Sequence, residues 1–210
     1  MYISYYDYDN KDLKLATYAS GSWTTEIVDG SESSVGEYTS IGLDGSGNVH
    51  IAYRDETNEH LKYATNAEKT WSFVTVDSST GTGYHNSIFV YPDGHAAISY
   101  YDESYFLKFA TNISGFWEVE TVREDFYSGC DNDLVVDGEG TVHIVSTVGG
   151  IEMQYLTNQS GDWEGVPLDY GRWTGLDLSI GLDANNVVHA AYTSFYSLWY
   201  ATFPTGYEGE

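Results

Sequence analysis

The chain has 210 residues, 41% of them hydrophobic and 16% aromatic, which is enough apolar mass for one sizeable core. Only 8 Lys and Arg stand against 32 Asp and Glu, and a formal charge of -24 repels nucleic acid and anionic membrane surfaces, so neither is expected as a partner. An acidic surface with five lysines also suits high external salt, where screening removes self-repulsion, so a halophilic source and an acidic extracellular protein both fit.

Cys130 is alone, so no intrachain disulfide is expected and it reads as a small packed residue. The opening MYISYYDYDN has neither a basic segment nor an apolar run, so the chain as read carries no leader; no stretch is apolar for long enough to span a bilayer as a helix. The compartment stays unassigned.

In chain order, the predicted elements are short strands that repeat. YISYYD (2–7) and LKLATYASGSW, ending at Trp23, come first. A loop, DGSESSVGEYT, leads to TSIGLD, a DGSGN turn, HIAYRD (50–55) and LKYATNAEKTW, ending at Trp71. The same text returns as SIFVYPDGHA, AISYYD (97–102) and LKFATNISGFW, ending at Trp117. It returns again as DLVVDGEGTV, HIVSTV (143–148) and MQYLTNQSGDW, ending at Trp163, then as SIGLDANNVV, HAAYTS (189–194) and LWYATFPTGYEGE. The four tryptophans are spaced by 48, 46 and 46 residues, and each marks the start of an outer strand.

Each unit therefore holds four strands, A to D, as in TSIGLD, VHIAYRD, LKYATN and WSFVTVD. Gly and Asn clusters between A and B supply tight hairpin turns. Strands such as VHIAY and DLSIGL are apolar on both faces, and no helical period occurs, so the chain is all-β with sheets covered on both sides. A four-stranded unit of this length, buried on both faces, predicts a β-propeller. A β-sandwich gives no reason for the period, and the coils of a β-solenoid are shorter. The expected blades are approximately 1–38, 39–84, 85–131, 132–174 and 175–210 in a single domain, five in all, the first lacking A and the last lacking D. They could close by packing, form a piece of a longer ring, or be completed by other copies in a homo-oligomer.

The repeats resemble BNR-type, sialidase-like propeller repeats over essentially the whole chain. In that family the C-to-D turn carries the Asp box, S-x-D-x-G-x-T-W. The segments ASGSW, AEKTW, ISGFW and QSGDW keep the Trp, and usually the Ser and Gly, but lack the Asp, so the resemblance implies the fold and not the catalytic activity. The architecture is also similar to that of five-bladed, tachylectin-type lectins.

With strand A innermost, the D-to-A and B-to-C connections share one face, and the D-to-A loops vary where the C-to-D turns are monotonous. Varied loops on a repeated scaffold are where binding is expected. That face collects Tyr38, Tyr84, His85, Phe126, Tyr127, Tyr170, Arg172 and Trp173 from the loops, and Tyr6, Asp7, Arg54, Asp55, Tyr101 and Asp102 from the ends of the B strands. Aromatic planes beside carboxylates and guanidinium groups suit sugar recognition, although each tyrosine could equally pack between blades. The expected function is a non-catalytic binding module for a glycan or a protein, without cofactor. The alternatives are a degenerate sialidase-like hydrolase and a structural fragment completed by oligomerisation or a larger protein. For the hydrolase, the resemblance implies three arginines holding a carboxylate; Arg54, Arg123 and Arg172 share the face, but Arg123 ends an outer strand.

Asp7, Asp9 and Asp12 form an acidic B-to-C turn that could attract Ca²⁺, yet the other copies of this turn read as ordinary polar hairpins, and no metal is expected. His50, His143 and His189 recur at one position that Ala97 and Tyr2 fill elsewhere, which predicts packing or a local hydrogen bond rather than a zinc site.

Overall fold

The computed structural model describes residues 1–31, 33–124, 128–149, 151–170, 174–194 and 197–204. These form five consecutive antiparallel sheets, the number of blades expected. The first contains β1 (Tyr2–Asp7), β2 (Asp12–Ala19) and β3 (Ser22–Asp29). The second contains β4 (Val35–Leu43), β5 (Val49–Asp55), β6 (His60–Thr65) and β7 (Ser72–Asp77). The third has β8 (Tyr84–Val90), β9 (Ala96–Tyr101), β10 (Leu107–Thr111) and β11 (Glu118–Arg123). The fourth has β12 (Ser128–Val136), β13 (Val142–Val148), β14 (Glu152–Thr157) and β15 (Glu164–Tyr170), and the fifth β16 (Thr174–Leu182), β17 (Val187–Ser194) and β18 (Ser197–Pro204). Among the described residues the first sheet has no strand A and the fifth no strand D, as the repeat predicts. The fold is a β-propeller.

The chain divides into two compact units, Met1–Glu103 with Phe109–Glu120, and Ser104–Lys108 with Thr121–Glu210. In the first, one core cluster joins Leu13, Leu15 and Val28 of the first blade to Val35, Val49, Ile51, Tyr53 and Ala64 of the second, with Trp71 packed against it. A second cluster joins Leu61, Tyr63 and Val76 to Ile88, Ile98 and Tyr100, with Trp117 packed against it. In the other unit, Val145, Met153 and Tyr155 meet Val188, Ala190 and Tyr192. The apolar faces predicted on strands such as VHIAY are thus buried between sheets, at about 1.5–3 kcal/mol for each fully buried large side chain, while the outer strands β3, β7 and β11 are mostly exposed. Trp23 differs: it is 47% exposed and meets the Tyr18 ring in a tilted contact at 5.2 Å. Trp163 is half-buried.

A polar lock crosses each of three seams. The last residue of β3, Asp29, accepts from the Tyr53 hydroxyl of the next blade at 2.5 Å and from Lys62 at 2.7 Å. Asp77 accepts from Tyr100 at 2.7 Å, and Asp169 from Tyr192 at 3.1 Å. Burial opposes ionisation of Asp29, but Lys62, Ser31 and Tyr53 together outweigh it and hold the carboxyl below its ordinary range. At the remaining position of this series the outer strand ends in Arg123, and the partner positions hold Ser146 and Gln154 in place of Tyr and Lys. The charge and both of its partners change together.

The A-to-B turns carry a second repeated device. Asp44 caps its own turn by accepting from the backbone of Ser46 and Asn48, and Gly47 supplies the positive φ of 80°. Its other oxygen faces His50 Nε2 at 3.5 Å, while His50 Nδ1 meets the Tyr63 hydroxyl at 2.5 Å. Asp137, His143 and Tyr155 repeat the arrangement at 3.4 and 2.7 Å, and Asp183, His189 and Tyr200 repeat it a third time. At His143 a neutral ring protonated on Nε2 satisfies both contacts, whereas Nε2 of His50 and of His189 makes no hydrogen bond among the described residues. In the third blade all three members are replaced, by Tyr91, Ala97 and Phe109. The recurrent histidines are therefore hydrogen-bonded scaffold, as expected from the sequence.

Two outcomes follow for stability. Tyr53→Phe and Tyr100→Phe should each lower the unfolding free energy in urea by about 1.5–3 kcal/mol, because each strips a donor from a buried carboxylate. Burial, partly offset by Asp44 and Asp137, lowers the pKa of His50 and His143, so both stay neutral when folded and take up protons on unfolding. Stability should accordingly fall as pH drops below the free imidazole value of about 6.5, and a His50→Asn, His143→Asn double variant should flatten urea midpoints measured between pH 7.5 and 5.5.

Candidate functional site

The site lies in the first unit and begins with a backbone irregularity. The pairing of β4 with β5 shifts register between Val35 and Glu37 and again before Ser40, and that of β8 with β9 shifts between Tyr84 and Ser87. Each bulge puts a bulky residue in the left-handed region, Tyr38 at φ 49° and His85 at φ 43°. Such residues cost roughly 1 kcal/mol or more and cluster where a side chain is re-aimed. A glycine two residues earlier makes room: a Cβ on Gly36 would stand 2.7 Å from the Leu13 Cα, and one on Gly83 would stand 3.1 Å from the Leu61 Cα. The sequence marks these positions as VGEYTS and TGYHNS.

The bulges bring four rings into a closed circuit. Tyr38 packs on His85 at 4.8 Å and edge-on to Tyr84 at 5.6 Å; Tyr84 stacks on Tyr101 at 5.1 Å, and Tyr101 meets His85 at 5.3 Å. Tyr38 is 40% exposed and presents the open side of this platform. Beneath it lies Arg54, fully buried, its guanidinium 3.9 Å from the centre of the Tyr84 ring. Arg54 Nε donates to Glu56 at 2.7 Å and Nη1 to the Thr82 carbonyl at 2.5 Å, while Nη2 has no acceptor among the described residues. Asn86 ties the blades together beside the platform, donating from Nδ2 to the carbonyls of Tyr38 and Gly83; its Oδ1 is buried without a partner among the described residues.

Glu37, half-buried in the bulge, is pushed up by burial and by repulsion from Glu56. Burial raises the Tyr38 and Tyr84 phenols; Glu37 and Glu56 raise Tyr38 further, and Glu56, Glu59 and Glu103 raise Tyr84. Arg54 opposes this rise at both phenols.

Five of the residues singled out in the sequence, Tyr38, Arg54, Tyr84, His85 and Tyr101, are thus brought together. Asp102 follows Tyr101 and is half-buried. Tyr6 is set apart, its hydroxyl 2.9 Å from Ser34 Oγ. Asp7 and Asp55 serve their own turns: Asp55 accepts from the Asn58 backbone and Nδ2, and Asp7 from Asp9, Asn10 and Lys14. Lys14, followed by Asn10, holds the Asp7 carboxyl well below its ordinary range. Among the described residues no three His, Cys, Asp or Glu side chains are grouped to hold a metal, and Asp7, Asp9 and Asp12 make no exception. Phe126, Tyr127, Arg172 and Trp173 lie outside the described residues, and Tyr170 and Arg123 belong to the second unit. Glu37 and Asn86 are additions that the sequence reading did not single out.

Arg54→Ala should remove the support of Tyr84 and leave Glu56 unpaired, costing about 2–4 kcal/mol in urea unfolding. Tyr38→Ala, on the exposed rim, should cost less than about 1 kcal/mol.

The fold defines a β-propeller. No protein-family model matches the sequence, and no curated protein matches it. Among solved structures, the chain is similar to the SapL1 lectin in complex with α-methyl fucoside, at 11% identity and a TM-score of 0.68, covering 98% of this chain and 74% of that one. It is similar to the fungal lectin of Aleuria aurantia, a six-bladed β-propeller with fucose recognition, at 13% identity and a TM-score of 0.63, covering 94% and 72%. It is also similar to the leech intramolecular trans-sialidase complexed with 2,7-anhydro-Neu5Ac, at 14% identity and a TM-score of 0.61, covering 92% of this chain but spanning only 36% of that enzyme.

Proposed function

We propose that the protein is a carbohydrate-binding propeller that acts without catalysis, and that its binding surface is the Tyr38, Tyr84, His85 and Tyr101 platform over Arg54. The observation that carries this reading is the closed ring circuit seated on a fully buried arginine, with Tyr38 open to solvent. Ring faces cover the apolar faces of sugars, and the neighbouring carboxylates and amides take hydroxyls. Backbone strain at Tyr38 and His85 belongs with this use, since bulges that cost stability persist where they aim a side chain. Of the similar structures named above, two are lectins and one is an enzyme, so the absence of catalysis is part of the proposal. The repeat turns support it by lacking the Asp of the Asp box.

A saccharide array followed by calorimetric titration tests the reading. Binding should appear for at least one saccharide, and Tyr38→Ala should weaken it by about tenfold or more while the urea midpoint barely moves. A fluorogenic sialoside should not be turned over. Turnover abolished by Arg54→Lys would establish the hydrolase instead.

A further inference from the structure

The charges around the platform narrow what it can hold. Glu37 and Glu56 act on the Tyr38 hydroxyl, and Glu56, Glu59 and Glu103 act on that of Tyr84. Glu103 lies over the β7–β8 loop, where a Cβ on Gly81 would fall 2.5 Å from its own Cβ. Against these four carboxylates stand the Arg54 guanidinium, which already donates to Glu56, and Lys11, which acts on Glu37. The whole chain, at -24, adds to the field. A carboxylated, sulfated or phosphorylated sugar is repelled here, and a cation is drawn in.

Two buried groups at the same place point to a ligand with both donors and acceptors. Arg54, fully buried, has Nη2 without an acceptor, and Asn86, 9% exposed, has Oδ1 without a donor, among the described residues. Polar atoms so placed are rarely left unmatched in a folded protein. The Arg54 guanidinium over Tyr84 shows one ring face of the platform already bearing a cation, while Tyr38 is 40% exposed. The β7–β8 loop and the start of β8 supply no lysine or arginine to offset the carboxylates.

We propose that the platform selects a saccharide bearing a free ammonium group, held against the Tyr38 face with its charge towards Glu56, Glu59 and Glu103. Hydroxyls on the same sugar match the donor on Arg54 and the acceptor on Asn86. The inference rests on the carbohydrate-binding reading above and adds the sign of the ligand's charge.

The test titrates the full chain with a β-1,4-linked glucosamine tetrasaccharide, its fully N-acetylated counterpart, a sialyl trisaccharide and a tetralysine peptide. At low salt the amine form should bind at least about tenfold more tightly than the acetylated one, and the difference should shrink in 1 M NaCl as screening sets in. Glu59→Gln and Glu103→Gln, which leave the Arg54 to Glu56 bond intact, should each reduce the preference for the amine without weakening the acetylated sugar. Equal or tighter binding of the acetylated or sialyl sugar overturns the charge assignment and leaves carbohydrate binding standing. Binding of tetralysine with no saccharide bound overturns both in favour of a protein partner, and binding of nothing in the set overturns the charge assignment while the array decides the rest.

Discussion

The structure depends on a tyrosine hydroxyl donated across a seam to a buried aspartate. A blade is a small sheet with two apolar faces, and apolar contact alone lets neighbouring sheets slide. A directional bond such as Tyr53 to Asp29, at 2.5 Å, removes that freedom. Side chains alternate along β5, so Tyr53 reaches the blade before it while its neighbour Arg54 reaches the loop and ring of the blade after it. One strand thereby ties a seam on one side and supports the site on the other. The close approach of Gly36 to Leu13 and of Gly83 to Leu61 is tolerable only when that spacing is fixed.

In each lock the aspartate and its tyrosine go together, while the lysine position varies and holds Trp199 beside Tyr192. Where Arg123 stands in place of an outer-strand aspartate, Ser146 and Gln154 stand in place of tyrosine and lysine, since a lysine or phenol aimed at a guanidinium would face repulsion or a missing acceptor. The repeats within one chain thus serve as an internal record of which residues require one another.

Much of the fold was legible in the sequence because its signals are local. The tryptophan spacing, the Gly and Asn turns and the doubly apolar strands each report on a short window, and together they placed the strands correctly. Assigning loops to a face put Tyr38, Arg54, Tyr84, His85 and Tyr101 on one list, and the structure brings these five side chains together. Asp7 and Asp55 looked equally exposed, but the spacing to Asn10 and Asn58 marks side chains that close their own turns. Glu37 and Asn86 lie in the same loops but were passed over, because the loops were read chiefly for their rings, and the bulges that bring these two beside the platform show only in the strand pairing. The glycine two residues ahead of Tyr38 and His85 was the available sign.

The third blade's exchange of aspartate, histidine and tyrosine for Tyr91, Ala97 and Phe109 bears on how such a chain diversifies after duplication. A histidine restored alone at position 97 would be buried beside Phe109, which has no hydroxyl, and Tyr91, which has no carboxylate. Each single step between the two sets passes through a poorly matched intermediate. The blades are therefore separated by a mutational valley, so that copies once alike drift apart by whole sets of contacts, and a residue acceptable in one blade can be harmful at the same place in the next.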